Sequence, residues 1–97
     1  LADELNVTAW HINYNSIISK MTIRVYAVLK DYFEREFTIS KPLNTINDLR
    51  SYLADKHPEA KRVLNVSRFA VDNEFVENDY HLKEHDDISI MPPSSGG

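Results

Sequence analysis

The 97-residue chain is long enough for one modest core and too short for a deep, fully enclosed active site. Its composition, 42% hydrophobic and 27% charged, is that of a globular domain, without the unbroken apolar run of a membrane helix or signal sequence. A net charge of −4 argues against a general nucleic-acid binder, and the lack of cysteine excludes disulfides, a thiolate nucleophile and cysteine-based metal sites.

Residues 1–20 precede the first methionine, Met21, and read as an N-terminal extension, native or added. Within them Trp10, Ile12 and Tyr14 alternate with His11 and Asn13, a pattern that admits a short strand. From Met21 the alternation strengthens. Ile23, Val25, Ala27 and Leu29 fall on one face of a predicted first strand and are assigned to the core, with Arg24, Tyr26 and Val28 on the other face. Residues 30–35 turn the chain over Tyr32 and Phe33. Phe37 and Ile39 then alternate with Glu36, Thr38 and Ser40 in a second strand, hairpin-paired to the first, that stops before Pro42.

Thr45 opens a helix, and Asp48 three residues later supplies the acidic half of a capping box. Ile46, Leu49 and Leu53 have the spacing of one buried face with Tyr52 on its flank, while Asn47, Arg50, Ser51 and Asp55 are assigned to the outer face. Pro58 ends the run near His57, and Ala60, Val63 and Leu64 predict a shorter helical turn after it. Phe69 and Val71 mark a third strand, and Asp72-Asn73-Glu74 a turn into Phe75 and Val76. Tyr80 and Leu82 cover the core edge from an irregular stretch. Glu84-His85-Asp86-Asp87 is a polar turn into the last strand, residues 88–91, with Ile88 and Ile90 on one face and Ser89 and Met91 on the other.

The chain closes on Pro92-Pro93-Ser94-Ser95-Gly96-Gly97. Two prolines offer no N–H to a ladder, so they stop the strand and project the last four residues as an extended arm. Gly96 and Gly97, the two glycines of the sequence, give the arm a backbone slim enough for a narrow channel. The same composition also suits a flexible tail. A working arm is favoured because a well-patterned strand runs into it with no linker.

The order strand, strand, helix, strand, short strand, strand implies an α+β roll, a mixed sheet with one main helix packed across it, which is the β-grasp or ubiquitin-like arrangement. Residues 21–97 resemble the small subunit of molybdopterin synthase, among the ubiquitin-like sulfur carriers. The resemblance is carried by Tyr26-Ala27, Thr45-Ile46 with Leu49, the run Phe69-Ala70-Val71-Asp72-Asn73-Glu74, and Asp86-Asp87-Ile88-Ser89-Ile90-Met91-Pro92-Pro93 before Gly96-Gly97. It implies a domain over residues 21–91 and a tail over residues 92–97, with Gly97 as the reacting residue. Its carboxylate would be adenylated by an activating enzyme of the ubiquitin-activating type using ATP and Mg²⁺, then converted by a sulfur donor into a thiocarboxylate.

The resemblance further implies that Pro92, Pro93, Ser94, Ser95 and Gly96 insert into a large-subunit partner, and that Tyr26, Phe75 and Met91 dock on it, in a heterotetramer. Met91 stands where the family often has an aromatic residue and Ser94 where it often has valine. General acid–base groups and the pterin-precursor pocket would belong to the partner, so the chain would not be catalytic alone and would bind no cofactor or metal of its own. We expect a cytoplasmic protein that binds neither nucleic acid nor membrane. Rival readings are a thiamin-pathway sulfur carrier, a protein modifier joined through Gly97 to a lysine, and an interaction domain whose tail is incidental.

Other groups carry less. His81, His85, Asp86 and Asp87 have ligand chemistry but read as solvated turn residues. Asp31, Glu34 and Glu36 are close in sequence without a deep pocket to perturb them.

Overall fold

The structure is a computed structural model and describes residues 20–93. The predicted strand around Trp10 to Tyr14 and the tail residues Ser94, Ser95, Gly96 and Gly97 lie outside the described residues.

Five strands form one mixed sheet: β1 (Met21–Val25), β2 (Glu36–Ile39), β3 (Arg68–Val71), β4 (Glu74–Val76) and β5 (Asp87–Met91), in the spatial order β2-β1-β5-β3-β4. The central pair β1 and β5 is parallel, and every other pairing is antiparallel. One helix, α1 (Ile46–Lys56), packs on one face, and a 3₁₀ turn (Pro58–Ala60) leads into the short helix α2 (Lys61–Val66). The predicted α+β roll with a β-grasp topology is the observed fold.

Strand alternation decides which face is buried. Met21, Ile23 and Val25 of β1, Phe69 and Val71 of β3, and Ile88 and Ile90 of β5 meet Ile46, Leu49 and Leu53 of α1 in the core. The helix starts where the sequence places it. Thr45 Oγ1 accepts from the Asp48 N–H at 3.2 Å, and Asp48 Oδ2 accepts from the Thr45 N–H at 3.1 Å, closing the capping box. Asp72 and Asn73 both have positive φ, 52° and 72°, as a two-residue type I′ hairpin requires, and Asn and Asp tolerate that region better than most residues.

Several local expectations are corrected. β1 ends at Val25, because Ala27 enters the left-handed region (φ 54°) and the chain winds into a 3₁₀ turn, Ala27–Asp31. Ala27 is therefore exposed, whereas Leu29 reaches the core from the turn and not from a strand. Glu74 is the first residue of β4, since the tight turn needs two residues only.

Arg50 is not an outer-face residue. Its guanidinium donates to the carbonyl oxygens of Leu64 and Ser67, the latter at 3.1 Å, and to Asn78 Oδ1 at 2.6 Å, while lying 4.5 Å from the Phe69 ring centroid. This side chain ties α1 to the end of α2 and the start of β3, and partial burial pushes its pKa down.

Asp86 is likewise no solvated turn residue. Only 6% exposed, it accepts from the Lys83 N–H at 2.7 Å and from the Tyr80 hydroxyl at 3.4 Å, holding the bend in which His85 takes φ 68°. Tyr80 and Leu82 flank the core as expected, and their stretch is stapled to the helix start by Ile46 N–H to Tyr80 O and Leu82 N–H to Asn44 O.

Candidate functional site

The parallel β1–β5 pair sets the geometry of the candidate site. Both strands point the same way, so the end of β5 at Met91 leaves the sheet beside the end of β1 and beside the start of antiparallel β3. Pro92 and Pro93 follow Met91 with no ladder partner, Pro92 half-buried and Pro93 exposed, so the ladder stops where the two prolines remove its donors.

Three segments surround that exit. Tyr26, 44% exposed, follows the last residue of β1, and exposed Val28 follows it on the 3₁₀ turn. Val66, also exposed, ends α2 two residues before β3 begins at Arg68. On the sheet face opposite α1, Arg68 pairs in register with Met91 and Ala70 with Phe75. Phe75 is 52% exposed, and the Arg68 guanidinium carbon lies 3.6 Å from its ring centroid.

The structure thus brings Phe75 and Met91 onto one face, through the Arg68 that touches one and is paired with the other. It places Tyr26 at the end of the neighbouring strand, beyond the last paired position of β1. Large apolar side chains at half exposure around a chain exit have the character of a docking surface.

Farther down the same face, Arg24 pairs with Glu36 of β2 at 3.2 Å and with the Asp87 carboxylate of β5. The Asp87 hydrogen bond is the larger cause of an Arg24 pKa raised above the ordinary guanidinium value, and Glu36 adds to it, so this cation is neutralised within the sheet. Neither Arg24 nor Arg68 was read as part of the site from the sequence. The signal for Arg68 was present in the alternation of β3, which puts Arg68 and Ala70 opposite Phe69 and Val71.

Two further depressions lie on the surface of the described residues. A cleft of about 210 Å³ lies between β2 and α1, lined by Phe33, Phe37, Tyr52, Leu53, Lys56 and His57, and an open depression of about 620 Å³ lies beside α2. The first is below the roughly 300 Å³ at which ligand pockets begin, and the second is a broad surface bowl. Among the described residues no group of three metal-ligating side chains comes together, and no helix is long and apolar enough to cross a membrane.

Comparison with known proteins gives the family and the fold. The ThiS family model matches residues 23–97. Subunit 1 of molybdopterin converting factor from Pyrococcus furiosus superposes with a TM-score of 0.68 at 21% identity, over 77% of this chain and 98% of its own. The complex of subunits 1 and 2 of that factor from Helicobacter pylori contains a chain matching with a TM-score of 0.61 at 29% identity, over 80% and 99%. Small archaeal modifier protein 1 from Haloferax volcanii matches with a TM-score of 0.67 at 20% identity, over 81% and 100%. No curated protein sequence matches. On the extent of the family match, which includes the whole sheet from Ile23 onward, both helices and the diglycine end, the chain belongs to the ThiS family of ubiquitin-like sulfur carriers.

Proposed function

We propose that the chain is the sulfur-donating small subunit of a molybdopterin synthase and carries sulfur as a thiocarboxylate on Gly97. The observation that supports this most is where the last strand ends. The central strand β5 ends at Met91 and gives way to Pro92 and Pro93 on a side of the sheet that also carries exposed Tyr26, Val28, Val66 and Phe75. A partner that covers those residues receives the tail at the same time. The Helicobacter pylori neighbour, solved as a complex of subunit 1 with subunit 2, supports a large-subunit partner of the same kind.

The chemistry is dictated by what a terminal carboxylate lacks. It is a poor electrophile, so a partner of the ubiquitin-activating type joins the Gly97 carboxylate to the α-phosphorus of ATP with Mg²⁺, releasing pyrophosphate. A sulfide-level donor then attacks the acyl carbon and AMP leaves with the electron pair of the broken C–O bond. The resulting thiocarboxylate is a soft anionic nucleophile on a slim arm. Insertion of that arm into the large subunit sets the sulfur against a pterin precursor, and the gain in effective concentration supplies much of the rate. The sulfur leaves with the product, water restores the carboxylate, and the small subunit is recharged. Tyr26, Phe75 and Met91 hold the body to the partner, and Pro92, Pro93, Ser94, Ser95 and Gly96 thread the arm.

Reconstitution tests this reading. The full chain, its large subunit, the adenylating enzyme, ATP with Mg²⁺ and a sulfide source together form a dithiolene product, and a chain lacking Gly97 forms none. Product formation by the chain lacking Gly97 would refute the assignment of the sulfur to that residue.

A further inference from the structure

Two arginines lie on the sheet face opposite α1, and their surroundings differ. Arg24 is spent within the fold, held by Glu36 and Asp87. Arg68 is exposed and, among the described residues, has no carboxylate within 4 Å. Its guanidinium is instead stacked over Phe75 at 3.6 Å, where Ala70, paired with Phe75 and two residues along the strand, is only 3% exposed.

We infer that Arg68 is a specificity-determining residue of the docking face, and that it recognises a carboxylate on the surface of the protein that receives the tail. This rests on the docking function proposed for that face. A ring contact engages the flat face of a guanidinium and leaves its in-plane N–H donors without acceptors, while fixing the direction in which they point. Part of the conformational cost of ordering the side chain is therefore met before any partner arrives.

Arg68 is paired in register with Met91, the residue from which the tail departs. A partner seated closely enough to admit the tail must also cover Arg68. Covering a guanidinium that has no carboxylate partner among the described residues is unfavourable unless an acceptor replaces water, and a carboxylate matches the fork with two parallel hydrogen bonds. The surface that fits is apolar, to meet Tyr26, Phe75 and Met91, with an Asp or Glu set opposite Arg68. A nucleic-acid phosphate has the same geometry, but the chain's net charge of −4 disfavours that class.

The test is a titration of the full chain against its large subunit at low and moderate salt, with wild type, Arg68→Lys, Arg68→Gln and Arg68→Glu. Circular dichroism checks that each variant keeps its fold, as expected for an exposed position. Arg68→Gln is expected to weaken binding about tenfold and to flatten its salt dependence, with Arg68→Glu weaker still, because a like charge then faces the carboxylate. Arg68→Lys falls between wild type and Arg68→Gln, keeping the charge and losing the fork. Wild-type affinity in folded Arg68→Glu would overturn this inference and leave the docking function standing. Failure of the wild-type chain itself to bind would overturn the docking function, and this inference with it.

Discussion

Replacing Arg50 by alanine should destabilise the domain by about 2 kcal/mol. Arg50 makes three hydrogen bonds, to Leu64 O, Ser67 O and Asn78 Oδ1, and stacks on Phe69. Each hydrogen bond contributes about 0.5–1.5 kcal/mol net, and a stacked guanidinium adds about 0.5–1 kcal/mol. The side chain is only partly buried, so the lower ends apply and the total is about 2 kcal/mol.

Leu64 O also accepts from the Ser67 N–H at 3.2 Å, so one of the carbonyls keeps a partner when the arginine is removed. Arg50→Met separates the contributions. It keeps the apolar stem against Phe69 and loses the three donors, for a cost of about 1.5 kcal/mol.

The assay is urea unfolding read by far-ultraviolet circular dichroism, since the one tryptophan, Trp10, lies outside the described residues. With a slope near 1 kcal/mol per molar for a domain of this size, Arg50→Ala should lower the midpoint by about 2 M and Arg50→Met by about 1.5 M. A midpoint within about 0.3 M of wild type for Arg50→Ala would refute the claim that this side chain braces α1 against α2 and β3.

The same set of contacts predicts other outcomes. Thr45→Ala removes the side-chain half of the capping box and should cost about 1 kcal/mol in the same unfolding assay. Asp86→Ala leaves the Lys83 N–H without its 2.7 Å acceptor and should cost about 1–2 kcal/mol, with faster amide exchange at Lys83 and Thr22, whose N–H bonds Asp86 O. Removing Gly97 should abolish sulfur loading while leaving the thermal midpoint unchanged, because the described core lies entirely within residues 21–90. A fall in that midpoint would show that the tail contributes to the fold.

Much of this structure was legible because side-chain period and turn chemistry agree. Alternation in Ile23 and Val25, in Phe69 and Val71, and in Ile88 and Ile90 gave the strands and their buried face, and Thr45 with Asp48 gave the helix start. Period-2 reading failed at Ala27 and Leu29 for a definite reason. A left-handed residue at the head of a 3₁₀ turn returns an apolar side chain to the core two positions on, so the pattern persists after the strand has ended.

Arg50 was misplaced because it sits at the flank of the buried stripe, and its acceptors at Leu64, Ser67 and Asn78 are 14 to 28 residues away, where local periodicity carries no information. Asp86 was hidden in a polar run whose burial depends on Tyr80 and Lys83. At the site, Tyr26, Phe75 and Met91 were named by resemblance, whereas the Arg68 contact that links two of them needed strand register to be seen. The tail was legible only as punctuation and bulk, two prolines, two serines and two glycines, since its role depends on a partner's shape.

The proposed function stands on sulfur carried at Gly97. Its most direct test is the intact mass of the protein recovered from its own cells under sulfur-replete growth, with the C-terminal peptide fragmented. A sulfur carrier should show a population in which one oxygen of the Gly97 carboxylate is replaced by sulfur. A branched peptide joining Gly97 to a lysine, or an unaltered carboxylate with the activating enzyme present, would contradict the claim.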